Sequence, residues 1–75
     1  MVTKFENTGL YIYEIKICGT LDADWVAAYC PVDVKIVQDE SNTTLSNIHA
    51  DQSGIIGLIR SLHNSGYIIL SFQIE

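Results

Sequence analysis

Two cysteines and two histidines are the residues most able to do chemistry in this chain: Cys18, Cys30, His49 and His63. They could ligate zinc, but the C-x-x-C and H-x-x-x-H spacings that support such a site do not occur. Nucleophilic catalysis would need a cysteine beside a histidine and an orienting carboxylate. Cys18 is the better candidate, since we expect it to point outward from a strand beside Lys16. We expect no metal and no cofactor, and keep a small enzyme or auxiliary subunit using Cys18 or a histidine as an alternative.

A second set of candidate residues lies near predicted helices. Asp51-Gln52 begins the longer helix, where unpaired N–H groups can bind a ligand or partner. We favour capping, because an aspartate at this position accepts hydrogen bonds from those N–H groups itself. Trp25 and Tyr29, one turn apart on the shorter helix, could form a binding surface. Closing one end of the core is the preferred interpretation. These four residues are the candidate ligand or partner surface.

Composition restricts the partners. The chain has 75 residues, of which 48% are hydrophobic and 17% charged, and its net charge is -5. That charge disfavours nucleic acids and anionic membranes. No apolar run approaches the ~20 residues that cross a bilayer, and the N-terminus lacks a signal peptide's apolar stretch. We therefore expect a cytoplasmic protein with reduced cysteines.

The chain is long enough for one domain only. Residues 1–9 show little periodicity and are expected to form a flexible lead-in, with a single domain over residues 10–75. A domain this small has limited stability and an apolar surplus, so we expect a homo-oligomer, with a dimer favoured.

Four segments alternate between apolar and polar residues and are predicted strands. The first is Tyr11 to Cys18, the second runs from Val32 to Ile36, and the third is Thr43 to Ile48, with Asn47 at a bulge. The fourth follows Gly66. Its predicted core face is Ile68, Leu70, Phe72 and Ile74.

Two helices complete the pattern. Asp22 can cap a short helix that ends before Pro31. The longer helix carries an apolar stripe that follows the i, i+3, i+4, i+7 pattern. Its members are Ile55, Leu58, Ile59 and Leu62. Gly54 and Gly57 disfavour this helix, so we expect a close approach to the sheet or to a neighbouring subunit at Gly57, with close approach of the backbone to a ligand as the alternative.

The order strand, helix, strand, strand, helix, strand is that of ferredoxin-like folds. We predict a two-layer α+β sandwich: a four-stranded antiparallel sheet of order 4-1-3-2 with both helices on one face. The first and third strands are expected at the centre, and for this pair we expect a parallel pairing. The reverse face would stay open for a second copy. Its predicted interface residues are Ile12, Lys16, Cys18, Ile69, Ser71 and Gln73, with Glu14 on the same face.

Several spaced motifs resemble a group of short uncharacterised bacterial and archaeal proteins. The motifs are Tyr13-x-Ile15-x-x-x-Gly19-x-Leu21-x-x-x-Trp25, Thr43-Thr44-Leu45, Asp51-Gln52-x-x-x-x-Gly57-Leu58-Ile59 and Gly66-x-x-x-Leu70-Ser71. The resemblance covers nearly all of the chain after Gly9 and departs from the group at Asn47 and at Gly54-Ile55. It implies a compact α/β fold, no established activity and no catalytic residues.

The preferred hypothesis is a non-catalytic, self-associating binding or interaction module. An ACT-like regulatory domain that binds a small ligand is a second alternative beside the enzyme, because the chain resembles ACT modules in strand and helix order. Gly19 lies between the first strand and the first helix, where ACT modules also carry a glycine.

Overall fold

A computed structural model describes residues 10–75 of the chain. The lead-in predicted for residues 1–9 lies outside the described residues. The elements are β1 (Tyr11–Cys18), α1 (Ala23–Tyr29), β2 (Lys35–Gln38), β3 (Asn42–Ala50), α2 (Gln52–Asn64) and β4 (Ile69–Ile74). Their order is the one that the alternating and helical patterns predict.

The four strands form one sheet of order β2-β3-β1-β4. Read from the other edge this is the predicted order 4-1-3-2, so the predicted α+β fold is confirmed. Every neighbouring pair is antiparallel. The expected parallel pairing of β1 with β3 is wrong. The tight turn between β2 and β3 reverses the chain, so β3 runs antiparallel to β2. Because β2 runs in the same direction as β1, β3 is also antiparallel to β1.

The core lies between the sheet and the two helices. Every second residue of β1 from Tyr13 to Ile17 is buried, so these side chains share one face of the strand. They form one cluster with Trp25 of α1 and with three residues of α2, namely Ile55, Leu58 and Leu62. Both helices therefore cover the same sheet face, as predicted.

Two bulges interrupt the strand alternation. In β3 the register shifts so that Ser46 and Asn47 lie opposite Glu14, and Asn47 has a left-handed backbone with φ 59°. The bulge predicted at Asn47 is confirmed. In β4 the register shifts at Leu70, which has no partner on β1.

The bulge in β4 corrects one expectation. Ser71 pairs with Lys16, whereas Ile69 pairs with Ile17 and packs against the core. Ile69 therefore lies on the helix side of the sheet, and its predicted place on the reverse face is wrong. One extra residue inverts the alternation of a strand, and simple counting from Gln73 cannot detect it.

The second strand is shorter than predicted. Val32 is 98% exposed and lies in a turn in which Val34 N donates a hydrogen bond to Pro31 O (3.3 Å). The strand begins only at Lys35. The alternation from Val32 to Ile36 is typical of a strand, but the turn after Pro31 removes its first residues from the sheet.

The helix boundaries follow the predicted capping residues. Asp22 accepts a hydrogen bond from Asp24 N (3.1 Å), and Asp51 accepts one from Gly54 N (2.6 Å). Beyond α2, Gly66 has φ 92°, a backbone conformation that glycine adopts without strain. Among residues 10–75, no helix is long and apolar enough to cross a membrane.

Candidate functional site

The cysteine and histidine positions do not converge on one sheet edge. Cys18 pairs with Asn42 at one end of β1, whereas His49 pairs with Ile12 at the other end. Cys18 and Ile12 are six residue steps apart along β1, a distance of roughly 20 Å at about 3.3 Å per residue. Cys18 and His49 therefore cannot form a nucleophile–base pair.

Cys30 is also poorly placed for nucleophilic chemistry. It is half-buried at the end of α1, and burial raises the pKa of its thiol. A raised pKa lowers the thiolate fraction at neutral pH. Both cysteines are free thiols, and within residues 10–75 no group of three or more His, Cys, Asp or Glu side chains has the geometry to hold a metal ion.

The candidate surface predicted around the helix starts is divided by the fold. Asp51 and Gln52 are exposed at the start of α2, where Asp51 acts as the predicted cap. Trp25 is buried in the core, whereas Tyr29 is exposed and packs against Trp25 with ring centroids 5.3 Å apart and the ring planes tilted by 39°. Trp25 therefore plugs the core as expected, and only Tyr29 of this pair offers a surface.

Tyr29 and Asp51 both border a groove of about 570 Å³ beside α2. Its walls come from the end of α1, the end of β3 and one side of α2. The groove is lined by Leu10, Tyr29, Pro31, Ile48, His49, Ala50, Asp51, Gly54, Gly57, Leu58 and Ser61. Its volume lies within the ~300–1,000 Å³ of typical small-molecule sites, and its lining is mainly apolar.

The two helix glycines that line this groove have different surroundings. A Cβ added at Gly54 would lie 3.0 Å from Asp51 Oδ1, whereas one added at Gly57 would meet no atom within 4 Å. The expected close approach of α2 to the sheet at Gly57 is therefore wrong. Gly57 faces open space, and the approach of a neighbouring subunit or of a ligand remains of that expectation.

Gly19, the residue behind the ACT-like alternative, lies away from the groove. It follows Cys18 at the end of β1, whereas the groove borders His49, opposite the start of that strand. Its carbonyl accepts a hydrogen bond from Thr43 Oγ1 (2.7 Å), and its N–H donates to Ser41 O (2.7 Å). Through these two hydrogen bonds Gly19 connects the end of β1 to the start of β3, and it does not border the groove.

The reverse face of the sheet is mostly polar. Lys16, Cys18, Ser71 and Gln73 are exposed, and Gln73 Nε2 donates a hydrogen bond to Glu14 Oε1 (2.6 Å). Among the predicted interface residues that lie on this face, Ile12 is the apolar one, and it is half-buried. This face is poorer in apolar surface than the interface hypothesis requires.

The exposed apolar surface is instead concentrated at the edge of β4. We call Leu70, Phe72 and Ile74 of β4, together with Ile68 directly before it, the β4 edge; all four are exposed. Phe72 and Ile74 lie on the helix side of the sheet, whereas Ile68 lies before the bulge, next to Cys18 on the reverse face. Phe72 is 44% exposed although it stacks on buried Tyr13, with ring centroids 5.5 Å apart. The sequence carries the signal for this surface, because no charged residue occurs between Ile68 and Ile74. Alternation alone assigned these side chains to the core.

A family model described as a domain of unknown function, DUF8691, matches residues 12–73. The chain belongs to the DUF8691 family. The match includes both helices and all four strands except Tyr11 and Ile74, so the DUF8691 domain comprises the sheet and its helical layer. The predicted resemblance to an uncharacterised group is confirmed to that extent. No curated protein and no solved structure matches the chain.

Proposed function

We propose that this DUF8691 domain is a non-catalytic interaction module that self-associates, with a dimer as the working unit. The observation that carries the proposal is the β4 edge, an uncharged apolar strand on the border of the sheet. In the described chain β4 has β1 as its strand neighbour on one side and no strand on the other. An open edge of this kind is a ready template for pairing with another chain.

The opposite edge of the sheet supports this choice by contrast. β2 has only four residues and begins with Lys35. Short strands and lysines are the features by which proteins protect an edge from pairing. Asp33, Asp39 and Glu40 flank β2 on both sides, whereas β4 has a charged neighbour at one end, Glu75. The two edges therefore differ in how readily they accept a partner strand.

The non-catalytic part of the proposal rests on the scattered chemistry. Cys18 and His49 lie at opposite ends of the sheet, and Cys30 is half-buried with a raised pKa. Neither the Cys18–His49 pair nor the half-buried Cys30 thiol thus supplies the activated nucleophile that the enzyme alternative needs.

Light scattering on matched lysine variants tests self-association through the β4 edge. Ile74 (59% exposed, on β4) and Val37 (64% exposed, on β2) are β-branched residues of similar exposure on opposite edges. Ile74→Lys should reduce the mass from two chains to one at high micromolar concentration, while Val37→Lys should leave it at two. Circular dichroism would verify that both variants fold. A wild-type protein with the mass of one chain at every concentration would refute the proposal.

The groove supports a second candidate function, the binding of a small ligand as in the ACT-like alternative. Its volume and apolar walls suit a compact organic molecule, with His49, Asp51 and Ser61 as polar contacts. Thermal shift against amino acids and nucleotides would test it. Stabilisation that disappears in Gly57→Leu, whose side chain should extend into the groove, would support a ligand site there; no stabilisation by any compound would count against it.

A further inference from the structure

We infer that two copies of the chain join through β4 as antiparallel strands about a two-fold axis at Gln73, so that their sheets form one continuous eight-stranded sheet. This inference rests on the proposed self-association and adds the strand, the orientation and the register. Its steps are the direction of the backbone groups, the choice of partner, and the position of the bulge.

Among residues 10–75, no strand pairs with the outer side of the β4 backbone. Glu75 N donates to Ile12 O (2.7 Å) across the β1–β4 pairing. In an antiparallel pair, residues that exchange hydrogen bonds alternate along the strand, so Gln73 and Ser71 also face β1. The N–H and C=O groups of Phe72 and Ile74 consequently point to the open edge.

A second copy fits this edge better than an unrelated charged partner. An antiparallel strand pair on a two-fold axis is complementary to itself, so one strand supplies both halves of the interface. The chain has a net charge of -5, yet β4 has no charged residue. Two acidic copies can therefore meet along Ile69–Ile74 with one charged residue of each copy, Glu75, at the end of the ladder.

The bulge in β4 selects the register. Leu70 has no partner on β1, but the pairing from Ser71 to Ile74 is regular. An axis at Gln73 keeps the new ladder within this regular segment and its C-terminal neighbour, Glu75. Phe72 of each copy then lies opposite Ile74 of the other, and their apolar side chains meet on the helix side of the sheet. Registers centred nearer the middle of β4 would carry the ladder across both bulges.

The same geometry predicts a closed dimer. A two-fold contact uses the β4 edge of both copies, and the edges that remain are the two protected β2 strands. Growth into a filament would need pairing at β2, which its four-residue length and Lys35 disfavour.

Single-cysteine cross-linking tests the register. In a background of Cys18→Ser and Cys30→Ala, the Gln73→Cys substitution places one thiol of each copy at the two-fold axis. The two thiols then lie next to each other. Residues opposite each other in an antiparallel pair have Cα atoms about 4.5–5.5 Å apart, within the range a disulfide spans. Gln73→Cys should convert largely to a covalent dimer under mild oxidation. Ser71→Cys, on the same face and also exposed, should stay monomeric on a non-reducing gel, since it lies opposite Glu75 of the second copy.

The outcomes separate this inference from the proposed function. Cross-linking of Ser71→Cys, or of neither variant, in a protein that light scattering shows to be dimeric would overturn the register while leaving self-association intact. A monomeric wild-type protein would overturn both. Comparable circular dichroism spectra for the two variants would ensure that a missing cross-link does not reflect unfolding.

Discussion

Substitution of Gly57 by alanine is expected to stabilise the domain. Gly57 is exposed in the interior of α2, and an added Cβ would have no atom within 4 Å. Glycine is less favourable than alanine in a helix by about 0.8–1.0 kcal/mol, so the free energy of unfolding should rise by about that amount. For a domain of this size, about 1 kcal/mol corresponds to a rise in Tm of roughly 4–8 °C.

Gly54→Ala is the matched control within the same helix. Its Cβ would lie 3.0 Å from Asp51 Oδ1, the oxygen that caps α2, so the cap must shift. Displacing Asp51 weakens a cap whose complete loss costs about 0.5–2 kcal/mol, so part of the gain in helix propensity is offset. Urea titration at one protein concentration would measure both variants. Equal stabilisation by the two alanines, or a loss at Gly57, would contradict this description of α2.

Two further predictions concern titratable groups. Ser41 and Asn42 N–H donate to the Asp39 carboxylate and hold its pKa below the ordinary value of 3.8. A carboxylate whose pKa is lower in the folded state stabilises that state at neutral pH, and this stabilisation is lost as the pH falls through the lowered pKa. Asp39→Asn should therefore destabilise the domain at neutral pH and hardly at all in strong acid. Equal effects in denaturant titrations at both pH values would contradict this. Alkylation followed by mass spectrometry should modify exposed Cys18 faster than Cys30, because burial raises the pKa of the Cys30 thiol; equal rates would be inconsistent with that burial.

The sequence predicts the architecture well because several local signals agree. Asp22 and Asp51 cap the helices as expected, and the apolar stripe of α2 contributes Ile55, Leu58 and Leu62 to the core. Asn47 tolerates the left-handed conformation that its bulge requires. Caps, apolar stripes and this bulge depend on residues that are close together in the sequence. They can therefore be predicted from a single residue or a short segment.

The surface could not be predicted to the same extent, because it depends on relations between distant segments. The bulge at Leu70 arises from the pairing of β4 with β1, and it reverses the faces of the residues before it. Alternation shows that Phe72 and Ile74 share a face with Tyr13. It does not show that these side chains stay exposed beside the helical layer. The groove likewise forms between α1, β3 and α2, and no single segment encodes it.

Sedimentation equilibrium of the wild-type domain tests the central claim, self-association at the β4 edge, most directly. Across a dilution series, the fitted mass should fall from twice 8.4 kDa at high concentration toward 8.4 kDa. The fitted dissociation constant of the dimer should rise in Ile74→Lys and stay unchanged in Val37→Lys. A mass of 8.4 kDa throughout the series, or a dimer indifferent to Ile74→Lys, would contradict the account.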